Sequence, residues 1–304
     1  MKTDRFRIWL AFVIISTVWG SSWVAIKIGL ETIPPFFSVN VRLLIAELML
    51  GAILLWRKER IPWTPNAVRV YLSMGLLTFA LPFALVYWGQ QYISSSLACI
   101  LWATFPFCVA LVAWVWVRSE RLDRYTILGI ILGFLGVVII FGGDLQLSDP
   151  MALWGMIAIM ASVVVQAISL VQVKVWGEEV SPVAMNFIGM LIGLVALFVL
   201  GVSVEGIPSV TWTAPAVLSI LYLAVFASVL AFLAYYWLLK RIDPVYLSMT
   251  SFINPIVGVI LGAVILHEAL RTSLVAGALL VLAGILLANW RSLAARLRAQ
   301  KNGA

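Results

Sequence analysis

Ten apolar segments separated by short polar breaks dominate the sequence and restrict what it can fold into. They fall near residues 8–28, 36–56, 70–90, 94–117, 125–142, 152–173, 183–202, 215–239, 245–266 and 273–290. About 20 apolar residues in a helix cross the hydrocarbon core of a bilayer. Segments such as 127–143 are apolar on every face, whereas the strands of a membrane barrel alternate apolar and polar residues. The spacing therefore predicts an all-α integral membrane protein with ten transmembrane helices.

The amino-acid composition excludes a water-soluble domain. Apolar residues make up 63% of the chain and charged residues 11%, whereas soluble domains contain about 45–50% and about 25% of these classes. One histidine and two cysteines are too few for a structural zinc site or a disulfide framework, so we expect no metal and no cofactor. The first apolar segment is too long for a signal peptide and is predicted to remain as the first span.

Basic residues indicate how the chain crosses the membrane. Of the 20 Lys and Arg residues, 17 flank one set of segment ends, only Lys27 and Arg271 flank the other set, and Arg42 lies inside a span. Cytoplasmic loops carry such an excess of positive charge. We therefore expect a multi-pass protein of the cytoplasmic (inner) membrane with both termini in the cytoplasm. A nucleic-acid partner is not expected, because the net charge of +7 does not gather on one basic face.

An internal repeat divides the chain into two halves that align at an offset of 147 to 149 residues. The matched polar, proline and aromatic positions are Lys27 with Lys174, Glu31 with Glu178, Pro35 with Pro182, Trp88 with Trp237, Pro106 with Pro255, and Glu120 with Glu268. The repeat predicts one five-helix unit over residues 1–146, a second over 147–292, and a basic cytoplasmic tail over 293–304. Because each unit has an odd number of helices, the two units are expected to be inverted in the membrane. Inverted repeats around a midplane site are a recurrent basis of alternating access, so the sequence predicts a transporter.

Several motifs resemble one known family. The first segment carries W-G-S-S-W-V-A-I-K at 19–27, and V-Y-W-G-Q-Q-Y-I-S-S-S-L-A follows at 86–98. Glu120 and Glu268 each begin an E-x-L-x(6)-G pattern. In their order and duplication these motifs resemble the EamA family of the drug/metabolite transporter superfamily, over almost the whole chain. The resemblance implies secondary transport of small metabolites, such as amino acids or related compounds, commonly by export, through ten helices around a central cavity. The second half departs from the pattern, with Gln166-Ala167 where the first half has Trp19-Gly20.

Two charged residues lie inside the second predicted helix. At 1.5 Å per residue, Arg42 lies about 9 Å and Glu47 about 16 Å from the start of that helix, which places Glu47 near the midplane. Ionisable groups at this depth are expensive and are candidates for function. One interpretation makes Arg42 an anchor for a substrate carboxylate and Glu47 a proton-coupling carboxylate. The alternative is a structural pair, although a five-residue spacing separates the two side chains by about 140° around the helix.

Aromatic and amide side chains at mid-helix depth complete the candidate site. Together with Arg42, the predicted lining of a substrate cavity consists of Trp19, Trp88, Trp102, Gln166, Tyr235 and Asn254. Each Trp could instead belong to an interfacial aromatic belt. The mid-helix prolines Pro106 and Pro255 are predicted to act with Glu47 in coupling or gating, or else to form kinks needed only for packing.

Other residues are predicted to build the scaffold. Gly129, Gly133 and Gly136 share one face of the fifth helix, which favours close helix packing either within the chain or in a homodimer. Glu120 and Glu268 are expected to cap or pair at helix ends. An enzyme is not expected, because one histidine and few buried carboxylates provide little for catalysis. The second functional candidate is a membrane channel or lipid scramblase without ion coupling. Expected partners are a small-molecule substrate and membrane lipid, with proton coupling and homodimer formation left open.

Overall fold

The computed structural model of the chain describes residues 2–117, 123–144, 150–239, 241 and 250–290. Helices joined by short turns account for this part of the chain, and it contains no strand. We number ten helices in chain order: α1 (Lys2–Leu30), α2 (Pro35–Arg57), α3 (Pro65–Gly89), α4 (Ser95–Val117), α5 (Arg124–Asp144), α6 (Pro150–Trp176), α7 (Pro182–Glu205), α8 (Ala214–Leu238), α9 (Thr250–Ile265) and α10 (Thr272–Ala288). The predicted all-α membrane class is confirmed.

The prediction of ten full-length spans is met only in part. Among the described residues, the first eight helices are long and apolar enough to cross a membrane. The last two, α9 and α10, contain 16 and 17 residues, or about 24–26 Å at 1.5 Å per residue, against a core of about 30 Å. The predicted start of the ninth span, residues 245–249, lies outside the described residues. So do Glu120 and the predicted basic tail at 293–304.

Hydroxyl side chains mark where several helices begin. The side chains of Thr64, Ser181 and Thr213 accept hydrogen bonds from backbone N–H groups three residues later, at the starts of α3, α7 and α8. A proline follows in the first turn of each of these helices. The hydroxyl satisfies an otherwise unpaired N–H group, and proline has no N–H group to leave unpaired. The hydroxyl residue and the proline that follows it therefore define where these helices begin.

Both halves contain a π-helical turn at a corresponding position. In α3 it covers Gly75–Ala80, and in α8 it covers Leu223–Leu230, 148 residues later. A backbone contact accompanies the first of them, since a Cβ atom on Gly75 would lie 3.1 Å from the carbonyl oxygen of Gly189 in α7. A π turn shifts the direction in which the following side chains point, and such turns occur frequently at functional sites.

The predicted glycine face of α5 packs against α10 of the same chain. A Cβ atom on Gly129 would lie 2.5 Å from the carbonyl oxygen of Gly284, and one on Gly136 would lie 2.6 Å from that of Gly277. Gly133 instead faces the ring of Phe107 in α4. Of the two alternatives for this face, the structure shows the contact within the chain. The absence of side chains at these positions lets the two helix backbones touch.

Adding one methyl group to this contact is expected to destabilise the protein. Gly136→Ala places a Cβ atom against the carbonyl oxygen of Gly277, and overpacking of this kind costs about 1–3 kcal/mol. Gly142→Ala, in the same helix, is the matched control, because no atom lies within 4 Å of its Cβ position and alanine favours helix. Thermal unfolding in detergent should show a lower Tm for Gly136→Ala and an unchanged or higher Tm for Gly142→Ala. Equal shifts would contradict the backbone contact.

Candidate functional site

A cavity of about 980 Å³ lies between the helices of the two halves. Its walls come from α1 to α4 in the first half and from α6 to α9 in the second. The α5 and α10 helices pack together to one side and contribute only Asn289, at the end of α10. Neither half forms the cavity alone, so a change in how the halves pack changes the shape of the cavity.

The cavity lining is exposed at one end of the molecule, which we call open, and buried at the other, which we call closed. Among its lining residues, Lys174 and Glu178 are exposed, whereas Val86 is buried. Val86 lies near the end of α3, and α6 begins beside that end, since a Cβ atom on Gly89 would lie 2.8 Å from the carbonyl oxygen of Gly155. Lys174 lies near the other end of α6, so it and Val86 mark opposite ends of the cavity. The 27 residues of α6 then extend about 40 Å to the open end. We call the open end, marked by Lys174 and Glu178, the mouth.

Arg42 brings a positive charge to the cavity wall. Its Nε atom donates a hydrogen bond to Ser228 Oγ at 2.9 Å, and Nη1 donates to Tyr87 Oη at 3.2 Å. The guanidinium carbon lies 4.7 Å from the ring centroid of Phe83. Within the described part of the chain, no carboxylate oxygen lies within 4.0 Å of this guanidinium. Since a guanidinium has five N–H donors, the group is held in position and retains donors for an anionic ligand.

Aromatic rings form two groups on the cavity wall. In one group, the rings of Trp23 and Trp102 lie 5.7 Å apart, and Trp102 stacks on Phe105 with an angle of 7° between the ring planes. In the other, the rings of Trp19 and Tyr235 lie 5.2 Å apart. All five residues line the cavity. Such walls suit a ligand with a flat or apolar part, while a few polar groups set its orientation.

Two amide side chains supply polar groups to the wall. Gln166 lines the cavity, and its buried Oε1 atom accepts no hydrogen bond from any described residue. Asn254 also lines the cavity, and its side-chain nitrogen can donate to the carbonyl oxygens of Thr250 and Ser16, each at 2.9 Å. Gln166 is therefore the amide with an acceptor left for a ligand, whereas Asn254 ties α9 to α1.

The two predicted gating prolines line the cavity in different helical settings. Pro255 lies inside α9, where it removes a hydrogen bond from the helix. Pro106 lies in the first turn of the segment Phe105–Val117, after α4 is interrupted at Ala103 and Thr104. A proline in a first turn has no hydrogen bond to remove. Pro106 therefore restarts a helix, whereas the sequence predicted that it lay in the middle of one.

Two residues of the predicted site, Trp88 and Glu47, lie outside the cavity lining. The Trp88 ring packs against that of Tyr92 at 5.2 Å. Glu47 is buried, and neither of its carboxylate oxygens has a hydrogen-bond partner among the described residues. It lies one helical turn before Gly51, which faces Phe187 of α7, so this side of α2 packs against α7. Arg42 and Glu47 therefore point in different directions, as their spacing indicated, and do not form a pair.

Sequence reasoning missed the groups that hold Arg42. Tyr87 could have been found, because it matches Tyr236 across the repeat and both residues line the cavity. Ser228 gave no comparable signal, because the π-helical turn of α8 determines where its hydroxyl points.

Comparison with known proteins assigns the chain to a family. The EamA-like transporter family matches residues 7–142 and again 153–290. "Uncharacterized transporter YoaV" of Bacillus subtilis is 27% identical over 92% of this chain and 95% of its own length. "Uncharacterized transporter YvbV" of the same organism is 29% identical, over 96% and 94%. "Protein PagO" of Salmonella typhimurium is 28% identical over 88% of each chain.

A solved structure described as "Crystal structure of protein" shares the fold, with a TM-score of 0.67 and 19% identity over 95% of this chain and 97% of that one. The family match covers both halves and the relatives cover nearly the full length, in agreement with the resemblance of the motifs. The chain is a multi-pass membrane protein that belongs to the EamA-like transporter family.

Proposed function

We propose that this protein is a secondary transporter that exports small metabolites, amino acids or related compounds, across the cytoplasmic membrane by alternating access. The observation that carries the proposal is the cavity between the two halves, whose lining is exposed at one end and buried at the other. Inverted repeats around a central site provide two packings of similar energy, one open to each side. The names of the relatives, several of which are called transporters, support the same class.

The mouth of the cavity faces the cytoplasm in this proposal, and both termini lie on that side. Ser181, close in sequence to Glu178, donates a hydrogen bond to the carboxylate of Glu59 just after α2. The mouth therefore lies at the end of the molecule that carries Arg57 and Lys58, and basic residues concentrate on the cytoplasmic side. The conformation is then inward-facing, and a cytoplasmic solute can reach Arg42 directly.

The preferred substrate carries a carboxylate and an apolar or aromatic part. Arg42 supplies a cation with unused donors, and the walls supply Trp and Tyr rings. The volume of about 980 Å³ falls within the range of about 300–1,000 Å³ that is usual for small-molecule sites. An amino acid fits this description, with its carboxylate on Arg42 and an apolar or aromatic side chain against the rings.

Glu47 carries a proton in this conformation and provides the coupling. A buried carboxylate without a hydrogen-bond donor is too costly to remain ionised, so the neutral acid is the stable form here. Because Glu47 packs on the α7 side of α2, a shift of the second half against the first changes its surroundings. Such a shift can release the proton, which links protonation to the direction in which the cavity opens.

Counterflow is the experiment that tests the transport proposal. A thermal-shift screen of the purified protein against amino acids, their precursors, nucleosides and organic cations first selects a ligand, because binding stabilises the folded state. Liposomes loaded with that unlabelled ligand should then take up the labelled ligand transiently above its equilibrium level. A carboxylate-bearing ligand should show this behaviour, and organic cations should not. Equilibration without overshoot for every ligand that binds would instead indicate the channel or scramblase and reject the carrier.

A further inference from the structure

Two charged side chains, one in α1 and one in the loop between α9 and α10, hold the turn between α3 and α4, at the closed end of the cavity. This turn covers residues 90–94 and joins the last residue of α3 to the first of α4. The lining residues Val86 and Cys99 lie about one helical turn to either side of it. The turn therefore lies directly beyond the closed end, on the side opposite the mouth.

Lys27 of α1 binds the carbonyl groups at the end of α3. Its Nζ atom donates hydrogen bonds to the carbonyl oxygens of Gln90 at 2.8 Å, Gln91 at 3.2 Å and Ile93 at 2.9 Å. An ammonium group has three donors, and these three contacts can use all of them. The last carbonyls of a helix form its negative end, so a cation is favoured there. The Gln90 side chain adds a hydrogen bond from Nε2 to the carbonyl oxygen of Trp23, at 2.6 Å.

Glu268, between α9 and α10, binds the start of α4. Its Oε1 atom accepts a hydrogen bond from the backbone N–H of Ser95 at 2.6 Å. Its Oε2 atom accepts from the backbone N–H of Ser96 at 2.9 Å and from Ser96 Oγ at 2.5 Å. The first N–H groups of a helix form its positive end, so a carboxylate is favoured there. This contact meets the expectation that Glu268 caps a helix end, and the helix it caps belongs to the other half of the chain.

Of the two charged side chains, Glu268 connects the halves of the molecule, because Lys27 and the turn both belong to the first half. Lys27 belongs to the first half and Glu268 to the second, and each binds the helix end of opposite sign. Separating the halves at this end would break the three hydrogen bonds to the Glu268 carboxylate, whereas the bonds of Lys27 would remain within the first half. Charge-assisted hydrogen bonds of this kind are among the stronger ones in proteins.

We propose that Glu268 forms a latch on the α3–α4 turn, which Lys27 holds in position, that this latch keeps the cavity closed on the side away from its mouth, and that it must open for solute to leave there. The proposal rests on the alternating-access function and names the contact that this function must break. Weakening the latch shifts the population of conformations towards the one that is open on the far side.

Accessibility of one thiol from the outside of the membrane tests the latch. In a Cys108→Ala background, Cys99 remains as the only cysteine and lines the cavity next to the latch. A membrane-impermeant maleimide added outside right-side-out vesicles should label it slowly in the parent protein. Lys27→Met and Glu268→Gln, which keep side-chain length but remove the charge, should each raise this labelling rate about tenfold or more.

Lys174→Met is the matched control, because Lys174 is the sequence counterpart of Lys27 but lies at the mouth. It should leave labelling from outside unchanged. Lys27→Arg keeps a cation with several donors and should stay close to the parent rate. If Lys27→Met does not fold, Glu268→Gln and Lys27→Arg still provide the comparison.

Unchanged outside labelling in Glu268→Gln, or an equal rise in Lys174→Met, would overturn the latch. The labelling assay needs no substrate, so failure of counterflow with an intact labelling response would reject the transport function and leave the latch in place.

Discussion

Arg42→Ala is expected to lower transport of carboxylate-bearing substrates by about 10- to 100-fold, since hydrogen bonds to charged groups contribute about 1.5–3 kcal/mol. The reason is that the guanidinium lines the cavity, has no carboxylate partner among the described residues, and is oriented by Ser228 and Tyr87. The measurement is the initial rate of exchange in liposomes for a carboxylate-bearing ligand and for the analogue in which an amide replaces that carboxylate. Rates for the amide should fall much less.

The comparison between the two ligands separates substrate binding from structure. Arg42→Ala also removes the hydrogen bonds to Ser228 and Tyr87, so an equal loss for both ligands would assign Arg42 a structural role. Arg42→Lys keeps the positive charge but loses the planar guanidinium group with its paired N–H donors, and should give an intermediate rate. Arg69→Ala is the control for loss of an arginine elsewhere. Arg69 is exposed, contacts the Trp176 ring at 5.6 Å and does not line the cavity, so both rates should remain near the parent values.

Glu47→Gln is expected to abolish accumulation driven by a pH gradient while leaving exchange of substrate in place. Glutamine has the shape of the neutral acid that occupies this site in the proposed mechanism, and it cannot take up or release a proton. Because both carboxylate oxygens lack partners among the described residues, the substitution breaks no hydrogen bond to them. Uptake with an imposed pH gradient and counterflow without one should be measured on the same liposomes.

Glu31→Gln serves as the control, since Glu31 is exposed at the end of α1 and outside the cavity. It should retain the full response to the pH gradient. A Glu47→Gln protein that still accumulates substrate in response to the gradient would exclude Glu47 as the proton carrier. Loss of exchange together with loss of accumulation would instead indicate that Glu47 supports the packing of α2 on α7.

Many residues that line the cavity could be named from the sequence, and the differences between the predicted and the observed lining have identifiable causes. Of the residues predicted to line a substrate cavity, Arg42, Trp19 and Gln166 lie on the cavity wall, because polar and aromatic groups at mid-helix depth need partners away from lipid. Trp88 was assigned to the same lining, yet its neighbour Tyr87 occupies that position. Adjacent residues on a helix point about 100° apart, and a uniformly apolar helix gives no periodic pattern to show which of them faces inward.

The interruptions of the helices also could not be predicted from the sequence. Pro106 indicated an irregularity in α4 but not that the helix would stop at Ala103 and restart at Phe105. The π-helical turn of α8 had no sequence signal, although it sets where Ser228 points. Both features depend on how neighbouring helices pack.

The sequence by itself determined that the chain lies in a lipid bilayer, that it is all-helical, and which family it resembles. Long apolar segments must satisfy their backbone groups internally in lipid, which requires helices. The repeat of lysine, glutamate and proline positions predicts two units of five helices. Only the tertiary structure decided the relations between those units: that the glycine face of α5 contacts α10 of the same chain, that Arg42 and Glu47 face different helices, and that Lys27 and Glu268 bind one turn. Hydropathy and spacing act along the chain, whereas these contacts join residues that lie far apart in it and are selected by packing and hydrogen bonding in three dimensions.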